Sequence, residues 1–402
     1  MVTTIPDDLV TDDGGKIVLV VMDGLGGLPD PQTGKTELET AATPNLDRIA
    51  ATAALGLHQP VGPGITPGSG PGHLALFGYD PLRWNIGRGV LSALGVGFPL
   101  QEGDIATRLN FATVDANGSI TDRRAGRPSD DENKRLVAKL RAAVRAPSGV
   151  EIFFESEKEH RVVLIFRGKN LSAGLADTDP QETGVPPLRV VATRDDAANT
   201  ARLVQEVLDA GRAALADEPK ANALLARGFA AYGRYPTMQE RFKLRCLAIA
   251  RYPMYRGVAS LVGMDTLPAA ETDAASIDAL ADRFDDYDFH FIHFKAIDSR
   301  GEDGDFAAKA KAIEAVDPLI KRIEALGPAV LVVTGDHSTP ARLRSHSWHP
   351  VPVLLHSQWA RPTGVTEFGE RACLKGELGI FSTSQLMTLA LAHAGRLGKF
   401  GA

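Results

Sequence analysis

The chain has 402 residues, 44% hydrophobic and 23% charged, enough apolar material for a sizeable core over about two to three domains and no long disordered tract. A net charge of -6 gives no electrostatic case for nucleic acid or an acidic membrane surface as partner, and no window approaches the ~18 apolar residues of a membrane span. The two cysteines, Cys246 and Cys373, form no CxxC and no disulfide framework, and the start MVTTIPDDLV has no basic n-region, so the expected location is cytoplasmic.

In chain order, Lys16 to Met22 (KIVLVVM) is a short β-branched run followed at once by DGLGG, which predicts a buried strand ending in a loop. TPNLDRIAATAALG has helical spacing. TPGSGPGHLALFGYDP then sets Ser69 among glycines and prolines, a composition that by itself marks a turn. From about Asp104 to Pro187, short β-type runs (GVEIFFESE, HRVVLIFRG) separated by the turns VDANGS and RAPSG predict a smaller α+β unit inserted into the larger domain. DDAANTARLVQEVLDAGRAALA shows apolar residues at three- and four-residue spacing. YDFHFIHFKAID predicts a strand terminating in an aspartate, DFAAKAKAIEAVDPLIKRIEALG a helix, and AVLVVTGDHSTP repeats the design of the first strand.

Strands alternating with helices of this length predict an α/β protein on a largely parallel central sheet, with a core of residues 1–103 and 188–402 and an insertion of 104–187. In such sheets ligands sit beyond the carboxyl ends of the strands. Strands ending in Asp23, Asp298 and Asp336 therefore bring three carboxylates to one edge.

Three motif readings fail. GGLPDPQTGKT carries Gly34-Lys35-Thr36 but has Pro29 where a Walker A loop needs glycine. PGSGP around Ser69 has Pro67 where an α/β-hydrolase elbow needs its first glycine. DSRGEDGDF lacks the alternating carboxylates and terminal glutamate of an EF-hand. What survives is TGDHSTP with LRSHSWHPVPVLL: Asp336, His337 and His346 offer one hard oxygen and two imidazoles, suited to Mn²⁺, Zn²⁺ or Mg²⁺. Each residue alone is explained as a cap or a surface loop, but the set joins Asp23 and Asp298 at other strand ends. Phosphoryl transfer to a serine needs the hydroxyl deprotonated and the phosphoryl oxygens neutralised, and a pair of divalent ions does both.

The segments VVMDGLGGLPD, LETAATPNLDRIA, TPGSGPGHLALFGYDP, GRGVLSALGVG, RLNFATVD, DRRAGR, RYPMYRGVASLVGMD, TGDHSTP and LGKFGA run in order over nearly the whole chain. In them the sequence resembles the archaeal-type, cofactor-independent (2,3-bisphosphoglycerate-independent) phosphoglycerate mutases of the alkaline phosphatase superfamily. The resemblance implies an alkaline-phosphatase-like core with an inserted substrate-capping domain. It implies interconversion of 3-phosphoglycerate and 2-phosphoglycerate through a phosphoserine, with two divalent ions, Mn²⁺ or Mg²⁺ first and Zn²⁺ or Co²⁺ as alternatives. Ser69 stands in the place of the nucleophile. Asp23, Ser69, Asp336 and His337 match one metal site, and Asp298 and His346 match two ligands of the other. RLNF and DRRAGR place Arg108, Asp122, Arg123, Arg124 and Arg127 where the family gathers substrate-binding groups; guanidinium forks suit a phosphate and a carboxylate, while a solvated basic turn is the bland reading. His73, one helical turn from Ser69, is read either as a phosphate contact or as a helix-start residue.

One position departs from the family pattern. D-x-x-G-H-D-G-D implies a histidine four residues after Asp298, and here DSRGEDGD has Glu302. A carboxylate still ligates Mn²⁺ or Mg²⁺, shifts preference away from Zn²⁺, and adds a negative charge beside a phosphate. The expectation is a working two-metal site with Glu302 as ligand, the alternative a weakened site with altered activity. A metal-dependent phosphohydrolase or phosphotransferase on the same core is the rival enzyme, and a non-catalytic phospho-ligand or metal-binding protein the rival outside catalysis. The expected partner is a small phosphoglycerate; the oligomeric state stays open.

Overall fold

The computed structural model describes residues 7–84 and 86–401, so the opening six residues of MVTTIPDDLV and the last residue of LGKFGA lie outside the described residues. The chain forms two compact units, one from the chain before Ile86 and from Pro236 onward, the other from Ile86 to Tyr235.

In the first unit eight strands make one sheet, in the order Gly379–Ser382, Ala54–Gln59, Val351–Ser357, Val330–Thr334, Ile17–Met22, Phe289–Phe294, Cys246–Ala250, Asp265–Thr266. Val351–Ser357 runs against both its neighbours, and every other pairing is parallel. The fold is thus α/β on a largely parallel sheet. Ile17–Met22 is central, with Val20 paired to Ile292 on one side and to Val333 on the other. All six of its residues are buried, which is why it reads as a continuous apolar run without alternation. Helices Pro44–Ala50, Asp273–Arg283 and Phe306–Glu324 contribute to the core that includes Val18, Val20 and Met22. Phe306–Glu324 starts where Asp305 accepts the Ala308 amide, and its stripe Ile313, Val316, Ile320, Ile323 repeats at three and four residues. Each fully buried isoleucine there contributes about 1.5–3 kcal/mol.

The helix expected over TPNLDRIAATAALG stops at Ala50, and Ala54–Gln59 is an interior strand of the sheet. Sheet pairing overrides the helix propensity of Ala54, Leu55 and Leu57. A Cβ at Gly56 would stand 2.6 Å from the Leu378 side chain and 2.8 Å from the Gly379 carbonyl, so only glycine admits the neighbouring strand at this distance.

The second unit is an antiparallel sheet of Ile105–Val114, Ile120–Asp122, Val150–Lys158, Arg161–Gly168 and Ala223–Ala231. Its boundaries are wider than the 104–187 read from the sequence. Ala223–Ala231 pairs along Ile105–Ala112, and helix Ala198–Ala214 buries Val204, Val207 and Leu208 in the same core as Leu136, Leu140 and Leu164. The helical repeat of DDAANTARLVQEVLDAGRAALA therefore serves this sheet, not the larger one. Among the described residues no helix is long and apolar enough to cross a membrane.

Candidate active site

Three adjacent parallel strands deliver acidic residues to one edge of the large sheet. Asp23 follows Ile17–Met22 directly, Asp336 lies two residues beyond Val330–Thr334, and Asp298 sits in the first turn of helix Ala296–Asp303, just past Phe289–Phe294. All three are fully buried. The turn after Asp23 explains DGLGG: Gly24 has φ 69°, and a Cβ there would stand 2.6 Å from Thr339 Oγ1 and 2.9 Å from Asp298 Cβ. Its amide donates to Asp336 Oδ1 at 3.2 Å.

Ser69 opens helix Ser69–Leu76 after Gly68, partly exposed, with Oγ 3.2 Å from His337 Nε2. The helix presses on the Asp336 backbone, for a Cβ at Gly72 would meet the Asp336 carbonyl at 2.5 Å. The glycines and prolines thus have a purpose beyond a turn: they place a serine hydroxyl at a helix N-terminus, where free amides and the helix dipole favour an anion.

Hydrogen-bond partners fix the histidine tautomers. The Thr339 hydroxyl donates to Asp298 Oδ1 at 2.7 Å, so Thr339 Oγ1 accepts from His337 Nδ1 at 3.0 Å and His337 Nε2 carries a lone pair. His346 Nδ1 donates to the Pro67 carbonyl at 3.0 Å, which turns its Nε2 toward Asp298 Oδ1, 3.5 Å away. The two imidazoles stack at 3.6 Å. Burial lowers the His337 pKa, more than Asp336 and Asp23 raise it, and the ring stays neutral.

These atoms form two groups able to hold a cation: Asp23, Asp336 and His337, and Asp298, His337 and His346. The first makes the stronger test. Asp23 Oδ1 and Asp336 Oδ2 are buried without a hydrogen-bond partner and lie 3.5 and 3.2 Å from the His337 Nε2 lone pair. Asp336 Oδ2 is also 3.2 Å from His73 Nδ1, but not at a hydrogen-bonding angle. Two buried, unpartnered carboxylate oxygens converging on an imidazole lone pair that meets the Ser69 hydroxyl are satisfied by a divalent metal, so the residues fit one. Burial opposes ionisation of Asp23, yet Lys295, His293 and His337 together hold it well below the usual carboxylate range. Glu302 stands at the margin: 55% exposed, its Oε1 is 3.8 Å from His346 Nε2, and burial followed by Asp298 raises its pKa.

His73 is fully buried among Phe77, Tyr255, Phe291 and His293, with Nδ1 2.8 Å from the Ser69 carbonyl. Its contacts are to the Ser69 carbonyl and the Asp336 carboxylate, so it backs both. Three neighbours escaped the sequence reading. His293 Nε2 lies 2.9 Å from Asp23 Oδ2, with its ring stacked 3.6 Å from Tyr255. Lys295 pairs with Asp298 and lies 3.4 Å from Asp23; burial works against its charge, but the two carboxylates hold its pKa above the ordinary lysine value. Thr339 links Asp298 to His337. The signal for His293 and Lys295 was the end of HFIHFK, where a mostly apolar buried strand meets the sheet edge.

The second unit carries an arginine face. Arg108 and Arg227 are direct cross-strand partners, and Arg161 on the other flanking strand faces Asn110, two residues along from Arg108. Burial and then nearby Arg88, Arg161 and Arg227 push Arg108 down to about 10 against the pull of Glu157, and its Nε has no hydrogen-bond partner. Arg124 and Arg127 act with Arg161 and Arg108, after burial, to push His160 down to about 4. Like charges directly opposite on adjacent strands are unfavourable, so this face suits an anion. Arg123 and Asp122 do not join it. Arg123 grips Asp179 through Nε and Nη2 at 2.9 and 2.8 Å, and Asp122 accepts the amides of Arg124 and Gly126 at 2.8 and 2.6 Å. Both stabilise the DRRAGR turn. Arg161 and Arg227 lie outside the quoted motifs, and Arg88 stands in GRGVLSALGVG without having been singled out.

A family model described as 2,3-bisphosphoglycerate-independent phosphoglycerate mutase matches residues 50–221. The chain is 51% identical over 398 residues, 98% of each chain, to a Thermus thermophilus protein named as a probable 2,3-bisphosphoglycerate-independent phosphoglycerate mutase. Among solved structures it is similar to a protein from Pyrococcus horikoshii (28% identity, TM-score 0.83, covering 97% of this chain and 100% of that one). It is also similar to a cofactor-independent phosphoglycerate mutase from Thermoplasma acidophilum (28%, TM-score 0.73, 95% and 100%).

Proposed function

The chain belongs to the 2,3-bisphosphoglycerate-independent phosphoglycerate mutase family, and on that premise we propose that it interconverts 3-phosphoglycerate and 2-phosphoglycerate through a phosphoserine at Ser69. The observation that carries the reading is Ser69 Oγ, at a helix N-terminus, 3.2 Å from a His337 Nε2 that also faces the unpartnered oxygens of Asp23 and Asp336.

The residues that would hold divalent metal are Asp23, Ser69, Asp336 and His337 on one side and Asp298, His346 and Glu302 on the other. When bound, the metal, Mn²⁺ or Mg²⁺ by the oxygen-rich donor set, supplies charge neutralisation and a more acidic serine hydroxyl. The chain does the rest. Ser69 Oγ bonds to phosphorus as the ester oxygen of the substrate departs, and the serine proton passes in net terms to that oxygen. The helix amides receive the negative phosphoryl group, and the reverse transfer places it on the other glycerate hydroxyl. Arg108, Arg161 and Arg227, with Arg124 and Arg127, supply the small unit with an anion-binding face suited to a phosphate or carboxylate. His73 and His293 keep Ser69, Asp336 and Asp23 in place. Cys246 and Cys373, buried and unpaired, accord with a cytoplasmic, reducing setting.

The test is conversion of 3-phosphoglycerate by metal-stripped protein resupplied with Mn²⁺, without 2,3-bisphosphoglycerate. Turnover that needs metal, a phosphorylated Ser69 by mass spectrometry after brief substrate exposure, and loss of both in Ser69→Ala are expected. Free phosphate in place of 2-phosphoglycerate would overturn the mutase reading in favour of a phosphohydrolase.

A further inference from the structure

Lys309 is a fully buried lysine on the first turn of helix Phe306–Glu324, and the chemistry above does not use it. Its Nζ donates to the Gly26 carbonyl at 3.0 Å and to the Thr339 carbonyl at 2.9 Å, with Glu37 Oε1 3.9 Å away. Gly26 lies in the loop that follows Asp23. Thr339 lies in the loop of Asp336 and His337, and its hydroxyl bridges His337 to Asp298. The helix of Lys309 begins three residues after the Asp298 helix ends, across Gly304 at φ 77°. One ammonium thus touches two ligand-bearing loops and is built on the continuation of the third.

Two carboxylates complete the joint. Glu37 Oε1 accepts the Ala341 amide at 2.8 Å, while Glu370 Oε1 accepts the Gly27 amide at 2.9 Å and its Oε2 takes the Thr36 hydroxyl. Each loop is therefore held a second time just beyond its lysine contact, at Gly27 and at Ala341.

We propose that Lys309, backed by Glu37 and Glu370, is a positioning residue that sets the spacing of the Asp23 and Asp336–Thr339 loops so that their donors converge on a divalent cation. Stability alone does not account for it. Taking an ammonium and a carboxylate out of water costs about as much as their attraction returns, and apolar side chains of similar volume hold a core at least as well. A lysine gives what they cannot: tetrahedral donors aimed at once at two carbonyls of different loops and at a carboxylate. Because Thr339 receives this bond on its carbonyl and orients His337 and Asp298 with its hydroxyl, Lys309 acts on the ligands through one residue.

The inference rests on the metal reading of the site, and the experiment separates the two. Full-length Lys309→Met, and Lys309→Met combined with Glu37→Gln so that the lysine and its nearer carboxylate are removed together, are stripped of metal. Each is titrated with Mn²⁺ alone by calorimetry, and melted without metal. The expected result is a Mn²⁺ dissociation constant raised about tenfold or more in the double variant, with a metal-free melting temperature near that of the unaltered protein. A correspondingly changed visible spectrum of bound Co²⁺ is expected with it. A folded double variant with an unaltered Mn²⁺ dissociation constant overturns the proposal, and so does a double variant that cannot fold, which assigns Lys309 to stability. An unaltered protein that binds no Mn²⁺ removes the metal reading itself, a different failure from either.

Discussion

His293 holds Asp23 by one oxygen only: Nε2 stands 2.9 Å from Oδ2, and Oδ1 is left 3.5 Å from His337 Nε2. The histidine thereby sets which lone pairs of Asp23 face the metal position. His293→Phe keeps an aromatic ring against Tyr255 and removes the hydrogen bond. Its Mn²⁺ affinity is expected to fall about 10- to 100-fold, read by calorimetry, with a small change in melting temperature. Unchanged affinity would leave His293 a packing residue.

Arg108→Met and Arg123→Met separate binding from folding in the small unit. Arg108 opposes Arg227 across the strands, so its removal relieves a repulsion of about 0.2–1 kcal/mol and leaves stability equal or higher. The Michaelis constant for phosphoglycerate is expected to rise at least about tenfold, the loss of one charge-assisted contact. Arg123→Met instead strips a buried Asp179 of its bidentate partner. It costs about 1.5–3 kcal/mol in urea unfolding, with a smaller effect on the Michaelis constant.

Acid sensitivity follows from His58. Burial pushes it down to about 4, against the opposing pull of the Gly335 carbonyl and Asp336. Unfolded, it titrates near the ordinary histidine value of about 6.5. Above that pH both states are neutral and stability is complete. As pH falls the unfolded chain takes a proton that the folded one refuses, and on the order of 3 kcal/mol is lost by about pH 4. His290, also pushed to about 4 by burial, adds a loss of the same sign. His58→Gln retains an amide able to bond Thr383 and Thr334, and its unfolding free energy is expected to fall less steeply over this window. An unchanged pH slope would assign the acid loss to other groups.

Glu302→His tests metal choice at the second group. Glu302 is exposed on one side and 3.8 Å from His346 Nε2, so the exchange leaves the fold intact. A nitrogen in place of a carboxylate oxygen is expected to tighten Zn²⁺ roughly tenfold relative to Mn²⁺ in competition binding. Equal ratios in the two proteins would remove Glu302 from the site.

Ile17–Met22, Phe289–Phe294 and Val330–Thr334 were legible because strands covered on both faces are mostly apolar, His290, His293 and Thr334 being the exceptions, and an aspartate follows soon after the chain leaves the sheet. That made Asp23, Asp298 and Asp336 visible together. Ala54–Gln59 was not legible, since Ala54, Leu55 and Leu57 favour a helix and only its neighbours in the sheet impose a strand. The arginine face was half legible: RLNF marks Arg108, but Arg227 joins it through a strand pairing 119 residues away, and no local pattern encodes that. His293 finds Asp23 270 residues away, and Lys309 joins Gly26, 283 residues away, to Thr339, 30 residues away. DRRAGR shows the converse, a conspicuous motif in which Asp122 and Arg123 serve the turn itself.

The single reversed strand, Val351–Ser357, determines what its preceding connection can carry. A crossover to a parallel strand would begin at the ligand edge and finish at the opposite one. Here the chain leaves Thr334 and re-enters at Val351 on the same edge, so residues 335–350 behave as a hairpin anchored at both ends. Asp336 and His337 ride on its outgoing arm and His346 on its return, while Arg342 to Ser345 form an exposed tip. Insertions or deletions in that tip are therefore decoupled from ligand placement, and the segment can change length between related proteins, or be exchanged whole, without retuning the centre that it serves.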